Sequence, residues 1–248
     1  LGALKKHFGN EGLIPDVIIS HYWDGAELGL LFNASLPEKV KHIWVPHSLG
    51  AVKKRNMDSD AWADLRIDER IEDEKRILAD VDAVTATSAI IRQSLKEDYS
   101  YQTEALFLPP CIDSKRYRPH TIGKDHPIWV FLSQRAGISL DEVRKCKIIT
   151  EISRTDSTKR KDVLIKAFAQ VHKRFPDTLL VITIDKNNKL LYDELNGMIR
   201  TLRIEKHTAV LGSMWDELPD IYAATDIYCT PSVMEGFGMT PQEAAATK

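Results

Sequence analysis

The strongest constraint on this chain is a rhythm: short β-branched, apolar runs recur between longer stretches of helical period. "DVIIS" (16–20), "HIWVP" (42–46), "DAVTAT" (82–87) and "ALFLPP" (105–110) predict strands in the first half. "KIITEIS" (147–153), "TLLVITI" (178–184), "TAVLGS" (208–213) and "DIYCTPS" (226–232) predict strands in the second. Helical windows lie between them, such as 162–175, where Leu164, Phe168, Val171 and Phe175 share one face. Strands that are apolar at nearly every position are buried on both sides, which demands parallel sheets covered by helices. The expected class is therefore α/β.

The middle of the chain breaks the rhythm. Residues 112–146 hold "DSKRYRPH", "GKDHP" and a polar amphipathic stretch, which places a linker there. Two partial Rossmann-like domains are expected, at 1–125 and 126–248, with a cleft between them as the default site. A formal net charge of -2 over 248 residues argues against a nucleic-acid binder. No apolar run approaches the length of a membrane span, and no signal peptide opens the sequence. Cys111, Cys146 and Cys229 lack metal-like or redox-like spacing, so a reducing cytoplasm is the expected compartment. The chain begins Leu1-Gly2 and ends inside a helical pattern, which suggests an internal piece of a longer protein.

In open parallel sheets ligands bind beyond the carboxyl ends of the strands. Those positions here hold His21-Tyr22-Trp23-Asp24-Gly25, His47-Ser48-Leu49-Gly50, Arg154, and Glu235-Gly236-Phe237-Gly238. Four polar or glycine-rich segments at strand ends suggest a site.

Each has a plainer reading beside it. Thr240-Pro241-Gln242-Glu243 has the form of a helix start, with Thr240 as N-cap and Glu243 closing a capping box. Gly236 and Gly238 just before it would let backbone N–H groups approach an anion at the helix N-terminus. Lys159, Arg160 and Lys161 also precede a helix, where cations oppose the dipole at about 0.3–1 kcal/mol each. Either Asp162 offsets that cost or a bound anion does, and Arg154 with Lys159 would suit a diphosphate. A single histidine is usually a packed residue, so His21 and His47 gain weight only as neighbours at adjacent strand ends. "RIDERIEDEKRIL" (66–78) reads as a helix laced with ion pairs, in which Arg66 and Arg70 are the two that could face a ligand.

Together these residues resemble the retaining, nucleotide-sugar-dependent glycosyltransferases of the two-domain GT-B fold, in glycosyltransferase family 4. The likeness is to the branch containing sucrose synthase and sucrose-phosphate synthase. It rests on "EISRTDSTKRKDVLIKAF" and "VLGSMWDELPDIYAATDIYCTPSVMEGFGMTPQEAAA" in the second half, and on "SHYWDGAELG" and "HSLG" in the first. Glu235 and Glu243 match the family's glutamate–seven–glutamate element, and Arg154 and Lys159 its arginine–lysine pair.

The resemblance implies transfer of a hexose, expected to be glucose (as from UDP-glucose), from a nucleotide diphosphate sugar to a sugar, sugar phosphate or small polyol. It implies that Arg154 and Lys159 hold the donor diphosphate and that Glu235 meets the sugar hydroxyls. Gly236, Phe237, Gly238, Met239 and Thr240 would line the donor, and Glu243 would accept from the ribose hydroxyls. His47 would stand beside the anomeric carbon, with Tyr22, Ser48 and Lys53 toward the acceptor. No cofactor or metal is implied, the cations serving instead. The family's glycine-rich loop after its first strand is absent, and Ala51-Val52 stands where sucrose-phosphate synthases are more basic. Fructose 6-phosphate is therefore not assigned as acceptor. A non-catalytic nucleotide-sugar-binding module, or an inactive fragment, is the alternative; a GT-B-shaped epimerase would be expected to lack the Glu235–Glu243 element.

Overall fold

The structure, a computed structural model, describes residues 1–57, 62–63, 65–213, 216–233 and 235–248. Met214, Trp215 and Met234 of the quoted motifs lie outside the described residues. The chain forms two compact units: Leu1–Pro110 with Met234–Phe237, and Cys111–Val233 with Gly238–Lys248.

The first unit is built on four parallel strands in the order β1-β2-β3-β4. They are β1 Val17–His21, β2 Lys41–Val45, β3 Ala83–Ala86 and β4 Leu106–Phe107, one in each expected run. Trp44, Leu49, Val84, Ala86, Ile91 and Leu95 are the centre of its core. Register pairs His21 with Val45, so the segments that follow β1 and β2 leave the sheet side by side.

The second unit holds β5 Lys147–Glu151, β6 Thr178–Thr183, β7 Thr208–Leu211 and β8 Ile227–Tyr228, parallel in the order β7-β6-β5-β8. All six residues of β6 are buried. Leu179 and Val181 join one core cluster while Leu180 and Ile182 join another. Successive side chains point to opposite faces, so this strand is covered on both sides. The expected covering helices are present, including Pro127–Ala136 within the stretch read as a linker; its Ile128 and Leu132 enter the core.

The helix Lys161–Arg174 ends at Phe175, the residue before Pro176, where proline sterics disfavour helical backbone. Its buried stripe is Lys161, Leu164, Ile165 and Phe168, whereas Val171 and Phe175 are exposed. Leu164 and Phe168 of the expected face are buried, while Lys161 and Ile165 join them in place of Val171 and Phe175. Among the described residues no helix is long and apolar enough to cross a membrane.

Candidate functional site

In the first unit the turns after β1 and β2 carry two strained residues. Tyr22 has φ 68° and His47 φ 50°, left-handed values that side-chain-bearing residues seldom adopt. The buried Trp44 donates its indole N–H to the Tyr22 carbonyl at 3.0 Å, which holds the first turn. Strain of this kind costs on the order of 1–3 kcal/mol and gathers at functional sites.

The side chains that result converge. Lys53 Nζ donates to the Tyr22 hydroxyl at 2.7 Å, and Arg70 Nη1 does so at 2.8 Å. Arg70 Nη2 reaches the Ser48 carbonyl at 2.8 Å and its Oγ at 3.3 Å. Burial pushes the Tyr22 phenol up, but bonds from Lys53 and Ser48 and the charges of Arg70 and Lys53 outweigh it and hold it below its ordinary value. The basic run Lys53-Lys54-Arg55 divides its labour. Lys54 pairs with Asp68 and Arg55 with Asp98, while Lys53 turns to Tyr22. Of the two arginines singled out on the helix Ile67–Asp80, Arg70 joins this cluster and is 5% exposed. Arg66 does not: it is exposed and paired with Glu69.

His21 Nδ1 and His47 Nε2 lie 2.8 Å apart with their rings stacked. Burial, and then the neighbouring His21 ring, hold the His47 imidazole below its ordinary value. One proton between the two nitrogens satisfies both. Gly236, grouped with this unit, lies against the same turn: a Cβ there would stand 2.5 Å from the His47 carbonyl oxygen. Glycine is needed at that position because nothing larger fits.

In the second unit the order β7-β6-β5-β8 puts the topological switch between β5 and β8, whose following loops diverge. Arg154 follows β5 with its side chain 87% exposed and Asp156 at 3.8 Å. Lys159 sits buried on the turn Ser157–Lys159, capped by Asp156, and the Val233 N–H binds the Thr158 carbonyl at 3.0 Å. The loops after β5 and β8 are thereby tied together with both expected phosphate-binding cations at their junction.

Two expectations are corrected here. Lys161 turns into the core, donating to Glu151 at the end of β5, to Ser153 Oγ at 2.9 Å and to Thr183 Oγ1 at 3.3 Å. Arg160 pairs with Asp162 at 3.1 Å. Carboxylates thus pair with two of the three cations at that helix end, Asp162 among them. The capping box is also not formed. The last helix is Met239–Ala246, with Gly238 as N-cap at φ 79° and no side-chain cap. Thr240 Oγ1 lies 2.8 Å from the Tyr228 hydroxyl, and Glu243 accepts from the Tyr222 hydroxyl at 3.1 Å. Burial raises the Glu243 carboxyl above its ordinary range, against the Tyr222 bond and the Arg116 charge. The left-handed glycine starts the helix two residues early, which frees both side chains from capping.

Sequence reasoning missed Glu74 and Tyr99 behind Arg70, the Glu151–Lys161 pair, and Tyr222 and Tyr228 behind the last helix. A charged residue at Glu151, following the apolar Ile148-Ile149 of β5, was the available signal for the second. Among the described residues no three His, Cys, Asp or Glu side chains gather as a metal would require.

Two parallel sheets covered by helices define an α/β class, and comparison with known proteins shows what the chain is similar to. Residues 139–248 match the family described as "Glycosyl transferases group 1". The second unit carries a domain of that family, and the two parallel sheets are those of the GT-B class. Mannosylfructose-phosphate synthase of Agrobacterium fabrum is 31% identical over all of this chain and 54% of its own length. The chain spans about half the length of the curated relatives it matches. A sucrose-phosphate synthase from Thermosynechococcus elongatus superimposes with a TM-score of 0.78 at 21% identity, over 98% of this chain and 56% of that one. Anabaena HepE in complex with UDP-glucose gives a TM-score of 0.70 at 21% identity, over 93% and 57%.

Proposed function

We propose that this chain belongs to a retaining glycosyltransferase that moves a hexose from a nucleotide diphosphate sugar to a phosphorylated sugar or polyol. The observation that carries the acceptor class is the convergence of Lys53, Arg70, Tyr22 and Ser48 at the strand ends of the first unit. Two cations and two hydroxyl groups linked by hydrogen bonds form a donor-rich cluster suited to a phosphate. The names of mannosylfructose-phosphate synthase and sucrose-phosphate synthase point the same way.

On this reading Arg154 and Lys159 receive the donor diphosphate and stabilise the leaving phosphate as its bond to the anomeric carbon breaks. Preorganised charge of this kind is commonly the largest catalytic term. The bond to the acceptor oxygen forms on the same face of the sugar, and the acceptor proton passes to the leaving phosphate. His47, whose imidazole burial and the His21 ring hold below its ordinary value, is assigned a hydrogen-bonding role toward the transferred sugar. Glu243 takes the ribose hydroxyls and Glu235 takes the sugar hydroxyls. No metal is required in this scheme. UDP-glucose is the first donor to test, because HepE was captured with it.

Calorimetry with UDP, UDP-glucose, GDP and ADP, each with and without a hexose phosphate, tests the reading. Binding of one nucleotide and of the phosphorylated sugar, but not of the free sugar, is expected. A chain that binds no nucleotide contradicts it.

A further inference from the structure

Behind the phosphate-like cluster lies a carboxylate that no solvent reaches. Glu74 is 0% exposed, and an ion so placed is costly unless fully partnered. Its partners are complete. Oε1 accepts from Arg70 Nε at 2.7 Å, and both oxygens accept from the Gly50 N–H, at 2.8 and 3.2 Å. Oε2 also accepts a short bond from the Tyr99 hydroxyl, and the oxygen of Tyr99 accepts from the Ala51 N–H at 3.1 Å. Gly50 is fitted to this approach: a Cβ there would meet Ile71 at 2.9 Å and Glu74 Oε2 at 3.1 Å.

A carboxylate whose role was only to neutralise an arginine would commonly take two of its N–H groups side by side. Glu74 takes Nε and spends its remaining capacity on Gly50 and Tyr99. Nη1 and Nη2 are left pointing at Tyr22 and Ser48. Gly50 and Ala51 open the short helix Gly50–Arg55, which carries Lys53. One buried carboxylate therefore fixes Arg70 directly and the base of Lys53 through the backbone.

We propose that Glu74, with Tyr99, is the positioning residue of an anion subsite formed by Arg70, Lys53, Tyr22 and Ser48, setting its affinity for a phosphate monoester without touching the ligand. The inference rests on the phosphorylated-acceptor reading above. It goes beyond that reading in assigning the subsite's strength to a residue outside it. Neutralising Glu74 removes the charge that aims the guanidinium, so the two cations lose their common focus.

Calorimetric titration of the chain with inorganic phosphate, glucose 6-phosphate, glucose and UDP tests it. Glu74→Gln is expected to weaken both phosphate probes at least tenfold, with UDP affinity within twofold of wild type. A general loss of structure would lower UDP binding as well, so the split separates positioning from folding. Should Glu74→Gln not fold, Tyr99→Phe is expected to weaken the phosphate probes at least threefold with UDP unchanged. Phosphate affinity equal to wild type in either folded variant overturns the inference. If Lys53→Ala abolishes phosphate binding while Glu74→Gln does not, the acceptor reading stands and the positioning role falls. A wild-type chain that binds UDP but neither phosphate probe overturns both.

Discussion

Lys53 Nζ and the Tyr22 hydroxyl lie 2.7 Å apart, joining the first turn of one helix to the middle of another 31 positions along the chain. That bond exists because Tyr22 is held at a left-handed φ and because Lys54 and Arg55 are paired elsewhere. Lys53→Met removes the cation and keeps the aliphatic packing. It is expected to lower affinity for glucose 6-phosphate at least tenfold with little change for UDP, read by calorimetry.

Arg154 is the most exposed of the expected catalytic side chains, so the fold does not depend on it. Arg154→Ala is expected to reduce turnover at least a hundredfold, since a lost stabilising donor costs about 3–4 kcal/mol in the transition state. The unfolding midpoint should stay within about a degree of wild type. Initial rates and thermal melts on the same preparation check both halves.

Glu151 and Lys161 are the opposite case, with both side chains 1% exposed. Lys161→Met strands a buried carboxylate and should destabilise the second unit by roughly 3–5 kcal/mol. The pair Glu151→Leu with Lys161→Met should recover most of that loss. Urea denaturation of the single and double variants measures it.

The raised Glu243 carboxyl gives a pH signature. Its folded pKa lies above its unfolded one, so the native state holds the proton more tightly. The associated stability is present in full below the ordinary carboxyl range and is lost as pH rises through the raised folded value. Glu243→Gln should therefore gain stability over wild type at pH 7 and show little difference at pH 4. Tyr222→Phe removes a bond to the charged form and should raise the Glu243 pKa further. Melting curves across that range, with NMR of the carboxyl carbon, test both.

His47 titrates in the other direction: burial and His21 hold it below the usual imidazole range. Stability from the single-proton contact is present at neutral pH and lost as pH falls through the depressed value. His21→Gln removes the like charge and should raise the His47 pKa, visible in its ring proton shifts.

Much of this was legible in the sequence because it depends on pattern. Each described strand overlaps an expected apolar run, β-branched in all but that of Leu106–Phe107, and the cations and glycines singled out stand where strands end. Register was less legible, since Ile165 and Phe175 look equally apolar and only packing decides between them. The start of the last helix was misplaced because Thr240 and Glu243 satisfy a local capping rule that Gly238 overrides with its left-handed backbone. Glu74 was hidden in a run that reads as a helix laced with ion pairs. Its burial follows from long-range contacts with Gly50 and Tyr99, which no local spacing encodes.

In the proposed function the first unit selects a phosphorylated acceptor while the second supplies donor chemistry. NMR of the reaction of the chain with UDP-glucose and a panel of hexoses, each offered with and without its phosphate, tests this directly. The account predicts an α-linked product that retains the phosphate, formed at least tenfold faster than from the free sugar. Equal rates for the two acceptors, or a β-linked product, would contradict it.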